Sequence, residues 1–594
     1  MGHRGPDEQA GYQVDNVQLY HLRLAILDIA GGKQPMHYLD RYTIIFNGEI
    51  YNHKEVRQAL GLTCRTNSDT ETILQAFHKV GPDMLHHFDG MFAMAIYDRQ
   101  AQKLFFCRDR AGKKPLYFFN DGLKFAFASE LNGLASMVNL DIEEKNFEPY
   151  FRLGSFLRAQ TPYKNVTELL NGHYAWVDCT TLKMEWVKWW AITDFYRKRE
   201  AVDEAEAWQT VRGHLEKAVV RRLESSDLEV GCFLSGGIDS GLITALASKH
   251  KTDLRTFTVS FAGQFDESHL AKLVADKYAT NHETISISFD GLKDDLEDIL
   301  GNYGEPFFDS SAIPSYYVSK AASRHITVVL NGDGADELFG GYRRHVPFAH
   351  NDLFEAGKLQ RRFFKGLANI LPPGNHKKSY YNYLYRLAFL SSFANTELFL
   401  ASGPDIFEGF LHKFQGLNGE GQKVLDEEVN HILSTVQGGL RRIMALDFEI
   451  SLFSDLLVKM DIASMAHSLE GRSPMLAKEL LEYAPGLPDK LKIRGATTKY
   501  LLRKIATDLL PAALINQPKR GFEIPLKNWV NNDLKEIIND YLVSPNAFFQ
   551  GFISKNNVVG LLEGKWKVSD EKRAKMIWNL FCLEVWYKKC YVKA

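Results

Sequence analysis

The sequence predicts an α+β, antiparallel β-rich unit over residues 1–195, followed over 200–594 by an α/β unit whose parallel sheet is wrapped by helices and ends in a largely helical part. Short β-type runs closed by turn residues crowd the first 190 residues. Near Glu200 the texture changes to helical spacing, and an apolar strand then runs into a Ser/Gly loop and an apolar helix.

In chain order, Tyr42 to Phe46 reads as a strand before Asn47-Gly48, Phe92 to Tyr97 before Asp98, Leu104 to Cys107 before Arg108-Asp109, and Leu116 to Phe119 before Asn120-Asp121-Gly122. Helices are expected near residues 53–60 and 70–80. The polar stretch Ile192 to Ala205 reads as the linker. Beyond it, EAEAWQTVRGHLEKAVVRRL has apolar residues at helical spacing, and Val230 to Leu234 is a short buried strand ending at Ser235-Gly236-Gly237. Strand-like runs at Leu254 to Phe261 and Ile326 to Leu330 alternate with helical ones, and after Leu353 the chain reads as mostly helical. There is no internal repeat and no low-complexity segment.

The 71 basic and 73 acidic side chains leave a net charge of −2, so charge gives no reason to expect a nucleic acid or a membrane surface as partner. Small-molecule substrates are the default. The six cysteines show no CxxC pairing, which argues against a disulfide framework or a zinc site and fits a reducing, cytoplasmic setting. No stretch of 18 apolar residues occurs, and the opening MGHRGPDEQAGYQ has no signal-peptide core.

The chemistry is concentrated in two loops. In EVGCFLSGGIDSGLITALASKH, glycines allow close backbone approach to an anion, and the following helix start offers unpaired N–H groups and a positive dipole end. This is a phosphate cradle without the GxxxxGK[ST] arrangement of a Walker loop. A bare SGG fits a plain strand–turn–helix equally well, but Asp239-Ser240 beside it makes sense next to a pyrophosphate only if Mg²⁺ neutralises the carboxylate. The second loop, LNGDGADELFGGYRRH, holds Asp333, Asp336 and Glu337 among four glycines. Alone it reads as an acidic helix start, and its spacing excludes an EF-hand. Two such loops at the carboxyl ends of neighbouring parallel strands would converge on one crevice.

These loops, with LLVKMDIASMAHSLEGRSP and TTKYLLRKIATDLLP in the same order, resemble the synthetase half of glutamine-dependent asparagine synthetases. The first half agrees: HRGPD (His3 to Asp7), RLAILD (Arg23 to Asp28), FNGEIYNH (Phe46 to His53), SDTE (Ser68 to Glu71), DGMFAMAIYD (Asp89 to Asp98), RDRAGKKPLY (Arg108 to Tyr117) and FASE (Phe127 to Glu130) are similar to that family's glutaminase domain. The resemblance implies an N-terminal-nucleophile glutaminase β-sandwich followed by an ATP-pyrophosphatase (PP-loop) synthetase domain. It implies ATP and Mg²⁺ as cofactors, aspartate and glutamine or ammonia as substrates, a possible homodimer, and asparagine as product by way of β-aspartyl-AMP.

Residue by residue, the resemblance implies glutamine binding by Arg23, Leu24, Ala25, Ile26, Leu27, Asn47, Gly48, Glu49 and Asp69. Arg23 would pair with the α-carboxylate, Glu49 and Asp69 would hold the ammonium, and Asn47 and Gly48 would form an oxyanion hole. Outside that context Asn47-Gly48 reads as a hairpin turn. ATP would lie against Leu234, Ser235, Gly236, Gly237, Asp239, Ser240, Val259, Asn331 and Gly332, with Asp239 and Asp336 on the metal. Asp333 would assist adenylation; it stands where many relatives carry Glu, a change of reach but not of charge. Lys499 would be the catalytic lysine, Lys459 and Asp461 weaker candidates for the aspartate pocket, and His467 a packing residue. The family's nucleophilic Cys lies about thirty residues before HRGPD, whereas here HRGPD begins at residue 3 with no Cys beside it. The expectation is either a truncated start or an enzyme that uses free ammonia. The rivals are an adenylating enzyme for another carboxylate, as in β-lactam synthetases, and a non-catalytic ATP-binding scaffold; intact Asp239, Asp333, Asp336 and Lys499 argue against the scaffold.

Overall fold

The computed structural model describes all residues except 199–200, 261–265, 288, 352–353, 355–356, 371–379, 404, 516, 518–523 and 593–594. Glu200, Phe261 and Leu353, which bound expected elements, lie outside the described residues.

In the first half, a six-stranded antiparallel sheet has the spatial order Met184–Lys188, His173–Asp178, Lys103–Arg108, Gly90–Asp98, Tyr42–Ile50, Met36–Tyr38. Its side chains alternate between two cores, as the pleat requires. Phe92, Met94 and Ile96 pack with Val56, Ile73 and Phe77 of helices His53–Leu60 and Asp69–Val80. Ala93, Ala95 and Tyr97 face the other way, onto Leu19 and Phe118 from smaller sheets. One of these is the hairpin Glu8–Val14 and Val17–Arg23; the other joins Phe125–Ala128, Tyr117–Asn120 and Val166–Glu168. The layered β-rich expectation is met.

Two expectations are corrected. Asn47-Gly48 does not end a strand: pairing continues to Ile50, with Gly48 opposite Phe92 at φ 140°. A Cβ there would lie 2.0 Å from the Met91 carbonyl oxygen, so glycine marks a close strand crossing and not a turn. Nor is Ile192 to Ala205 a free linker. Ile192–Arg197 is a helix whose Ile192 and Tyr196 are 0% and 1% exposed, packed in one core with Val230 and Leu446. The next helix, Glu204–Glu224, starts where the Asp203 carboxylate accepts from the Glu206 N–H at 2.8 Å.

The second half contains a five-stranded parallel sheet ordered Asn281–Ser286, Arg255–Ser260, Val230–Phe233, Val328–Leu330, Glu470–Arg472. Helices cover it and dominate the chain beyond residue 353. The two halves share their cores. Tyr117, Phe147 and Tyr150 pack with Trp578, Phe581 and Trp586 of helix Asp570–Trp586, and the Tyr150 hydroxyl donates to the Asn579 carbonyl at 2.8 Å.

Because Tyr196 is core, Tyr196→Ala should cost about 3–5 kcal/mol of unfolding free energy in chemical denaturation. A solvated linker residue would cost less than about 0.5 kcal/mol.

Candidate active site

The sheet order reverses between Val230–Phe233 and Val328–Leu330, the place where open parallel sheets leave a crevice beyond their strand ends. A cavity of about 410 Å³ lies there. Every residue expected to hold ATP lines it: Leu234, Ser235, Gly236, Gly237, Asp239, Ser240, Val259, Asn331 and Gly332. Asp333, Asp336 and Lys499 line it as well. The Ser235 N–H donates to Ser240 Oγ at 3.1 Å and the Gly237 N–H to Ser235 Oγ at 3.2 Å, which closes the first loop on itself ahead of helix Ile238–His250. At Gly332 a Cβ would lie 3.0 Å from that of Asp239, so the second loop passes tightly over the first.

Lys499 reaches this crevice from the start of helix Tyr500–Leu509, its backbone in the left-handed region at φ 51°. The buried ammonium lies 2.5 Å from Asp239 Oδ2 and 2.6 Å from Asp336 Oδ1. A Cβ at Gly341 would fall 1.8 Å from Asp336 Oδ1 and 2.2 Å from Lys499 Cε, so the glycine leaves room for the pair. Asp239 Oδ1 is buried with no hydrogen-bond partner, an open acceptor on the cavity wall. Across the cavity, Lys459 Nζ sits 3.0 Å from Asp309 Oδ2 and 2.9 Å from Ser311 Oγ. Asp333 Oδ2 lies 3.2 Å from the ammonium of Lys113, which comes from the first half of the chain.

A second cavity, of about 820 Å³, lies in the first half. Arg23, Leu24, Ile26, Leu27, Asn47, Gly48, Glu49 and Asp69 line it; Ala25 does not, and its N–H donates to Asp7 Oδ2 at 2.8 Å. The Arg23 guanidinium donates to Glu8 Oε2 at 2.9 Å and to the Ile29 and Asp28 carbonyls at 2.8 and 3.0 Å. Glu49 and Asp69 are both buried. Burial first, and then the Asp69 charge, pushes the Glu49 carboxyl well up against the opposing pull of Arg472, 3.2 Å away. Burial likewise raises Asp69 to about 6, although the Ile50 N–H donates to it at 2.9 Å.

Three further residues separate cleanly. Lys459 lines the first cavity, whereas Asp461 turns away from it to Arg4 and Lys114, at 2.6 and 3.1 Å. His467 packs edge-on against Tyr316, and burial lowers it to about 4, so it is a neutral packing residue. Sequence reasoning missed Asp309 and Ser311, which line the first cavity, Glu470, which lines the second, and Lys113, which does not line the first cavity but pairs there with Asp333. Only Lys113 had a signal, two adjacent lysines in a tight loop between apolar runs. Among the described residues no group of three or more His, Cys, Asp or Glu could hold a metal by itself, and no helix is long and apolar enough to cross a membrane.

Comparison with known proteins gives the family. The asparagine synthase family model matches residues 210–588, and the glutamine amidotransferase domain model matches residues 1–190. The glutamine-hydrolyzing asparagine synthetase 1 of Bacillus subtilis is 30% identical, with 98% of this chain and 92% of the relative covered. The glutamine-hydrolyzing asparagine synthetase 3 of the same organism is 28% identical, covering 88% and 82%. Amidase chyE of Penicillium rubens is 25% identical, covering 94% and 88%. With a family match over more than half its length and a 30% identical relative along nearly all of it, the chain belongs to the asparagine synthase family.

Proposed function

We propose that this protein is a ligase that makes L-asparagine from L-aspartate, ATP and ammonia through β-aspartyl-AMP. The observation that carries the reading is the convergence of the SGGIDS and GDGADE loops on one cavity at the sheet's switch point, with Lys499 between Asp239 and Asp336. In the first step a β-carboxylate oxygen attacks the α-phosphorus and pyrophosphate leaves. Ammonia then attacks the acyl carbon and gives up a proton, the acyl C–O bond breaks, and AMP departs with the bridging oxygen that came from the carboxylate.

In this reading SGGIDS is a pyrophosphate loop of the PP-loop type: glycine N–H groups and the helix start hold the phosphates, and Leu234 and Val259 flank the adenine. Lys499 stabilises charge that grows on the α-phosphate and on the tetrahedral adduct. Asp333 assists adenylation, and Lys459 offers a cation to a carboxylate of the substrate. Asp239 and Asp336 would hold Mg²⁺, which completes its shell with water and substrate phosphates. Two carboxylates with one open acceptor oxygen fit that role. The ion would supply charge neutralisation at the leaving pyrophosphate. Residues 1–195 form the glutamine-handling unit and 200–594 the synthetase unit. In the first, Arg23 meets the glutamine carboxylate, Leu24, Ala25, Ile26 and Leu27 frame the pocket, Asn47 and Gly48 face the amide oxygen, and Glu49 and Asp69 take the ammonium.

Asp239→Asn should abolish aspartate-dependent AMP formation while leaving the chain folded; AMP release at the wild-type rate would remove Asp239 from the site. Lys499→Ala should lower kcat by at least about 100-fold with a much smaller rise in KM for ATP, because its charge acts in the transition state. If ATP affinity alone fell, Lys499 would be a binding residue only.

The raised carboxyls at Glu49 and Asp69 fix a pH dependence. Between about pH 4 and pH 6 the folded Asp69 carboxyl keeps a proton that the unfolded chain has released, so it favours the fold at low pH and loses that stability as pH rises through about 6, and the Glu49 carboxyl, pushed well up by burial, acts in the same direction. Asp69→Asn should therefore stabilise the protein relative to wild type at pH 8, by up to about 3 kcal/mol, and much less at pH 4.5. Equal effects at both values would contradict a buried, proton-sharing pocket.

A further inference from the structure

The cavity assigned to adenylation lies in the second half of the chain, yet one of its charges is supplied by the first. Asp333 sits between Gly332 and Gly334, the latter at φ 91°, in a loop packed against Asp239 and Leu476, and its carboxylate is partly exposed. Among the described residues its ion-pair partner is Lys113, 3.2 Å away and 4% exposed. Of the cations that line the cavity, Lys499 pairs with Asp239 and Asp336, Arg503 donates to the Thr498 and Gln517 carbonyls, and Lys459 pairs with Asp309 while also feeling the Asp333 charge.

The loop that carries Lys113 is held by a dense set of hydrogen bonds. Asp109 Oδ1 accepts from the N–H groups of Ala111, Gly112 and Lys113 at 3.0, 2.9 and 3.0 Å, and Oδ2 accepts from Phe92 and Lys114 at 3.0 and 3.2 Å. The Arg108 guanidinium donates to the Lys114, Leu169 and Gly112 carbonyls at 2.7, 2.6 and 2.8 Å. Gly112, at φ 74°, lies against Phe453, where a Cβ would come within 2.6 Å of the ring. The loop is thus seated against the second half, and it brings the buried Lys113 ammonium to 3.2 Å from the Asp333 carboxylate.

We infer that Lys113 is a positioning residue for Asp333, delivered by the N-terminal half, so that adenylation depends on seating of the 108–114 loop and not on the synthetase half alone. The inference rests on the adenylating role proposed above. Its test uses the full chain with aspartate, ATP and ammonium, so that the glutamine pocket is not exercised. Lys113→Met should lower kcat for AMP release roughly 10- to 100-fold, the usual loss when a group that orients a reacting residue is removed, with KM for ATP nearly unchanged. Lys113→Arg, which keeps the charge, should restore most of kcat. In an Asp333→Asn background, Lys113→Met should cost nothing more, because its partner is already gone.

Should Lys113→Met unfold, Lys113→Gln against Lys113→Arg makes the same comparison of charge lost with charge kept. An active wild type with undiminished kcat in the charge-loss variant overturns this inference alone, as does an equal loss in the Asp333→Asn background. A wild-type chain that forms no AMP from aspartate overturns the substrate reading and this inference with it.

Discussion

Buried charge at the seam between the two halves is the constraint on which the rest of the structure depends. Asp461 takes Arg4 on one side and Lys114 on the other, all three buried. Burial alone would raise its carboxyl, but the two cations outweigh that and hold it at about 2. Arg472 reaches Glu49, Arg221 reaches Asp89 at 3.1 Å, and Arg158 pairs with Glu449 and with Glu428 at 2.7 Å. Breaking one partner of such a pair strands the other without water, typically at about 3–5 kcal/mol. The pairs therefore fix the register of the halves more than they add stability. The aromatic core shared by Phe147, Tyr150, Trp578 and Trp586 supplies the non-directional attraction.

The same seam shapes both cavities. Arg472, at the end of the outermost parallel strand, touches Glu49 of the first-half pocket and donates to Glu470 at 2.8 Å. The 108–114 loop sends Lys113 to Asp333 and Lys114 to Asp461, so one tight turn serves the synthetase cavity and the interface together. Inside the cavity, the left-handed backbone of Lys499 is strain the surroundings must sustain, and Gly341 is the position that lets the lysine and Asp336 meet.

Much of this was legible in the sequence, for physical reasons that differ by element. The short apolar runs in Gly90–Asp98 and Lys103–Arg108 reflect two buried faces, and the SGG and GDGADE loops follow strands in the way a switch-point crevice requires. All of the residues expected to meet ATP gather in one cavity because chain order and parallel pairing together dictate it. Asn47-Gly48 misled because a glycine needed for a close strand crossing has the same letters as a turn. Ile192–Arg197 misled because its charged residues Asp194 and Arg197 are exposed while Ile192, Thr193 and Tyr196 carry the burial. Asn281–Ser286 carries Ile285 as its one apolar residue and Glu470–Arg472 spans three residues, so neither offers a period to read. The Lys113–Asp333 pair was out of reach, since 220 residues separate partners that only the docked halves bring together.

The central claim is that the two halves form one thermodynamic unit locked by buried charge and a shared core. Differential scanning calorimetry of the full chain near neutral pH tests it most directly. The account predicts a single endotherm in which the antiparallel and parallel halves unfold together, with calorimetric and van't Hoff enthalpies in agreement. Two resolved transitions, one for each half, would contradict it.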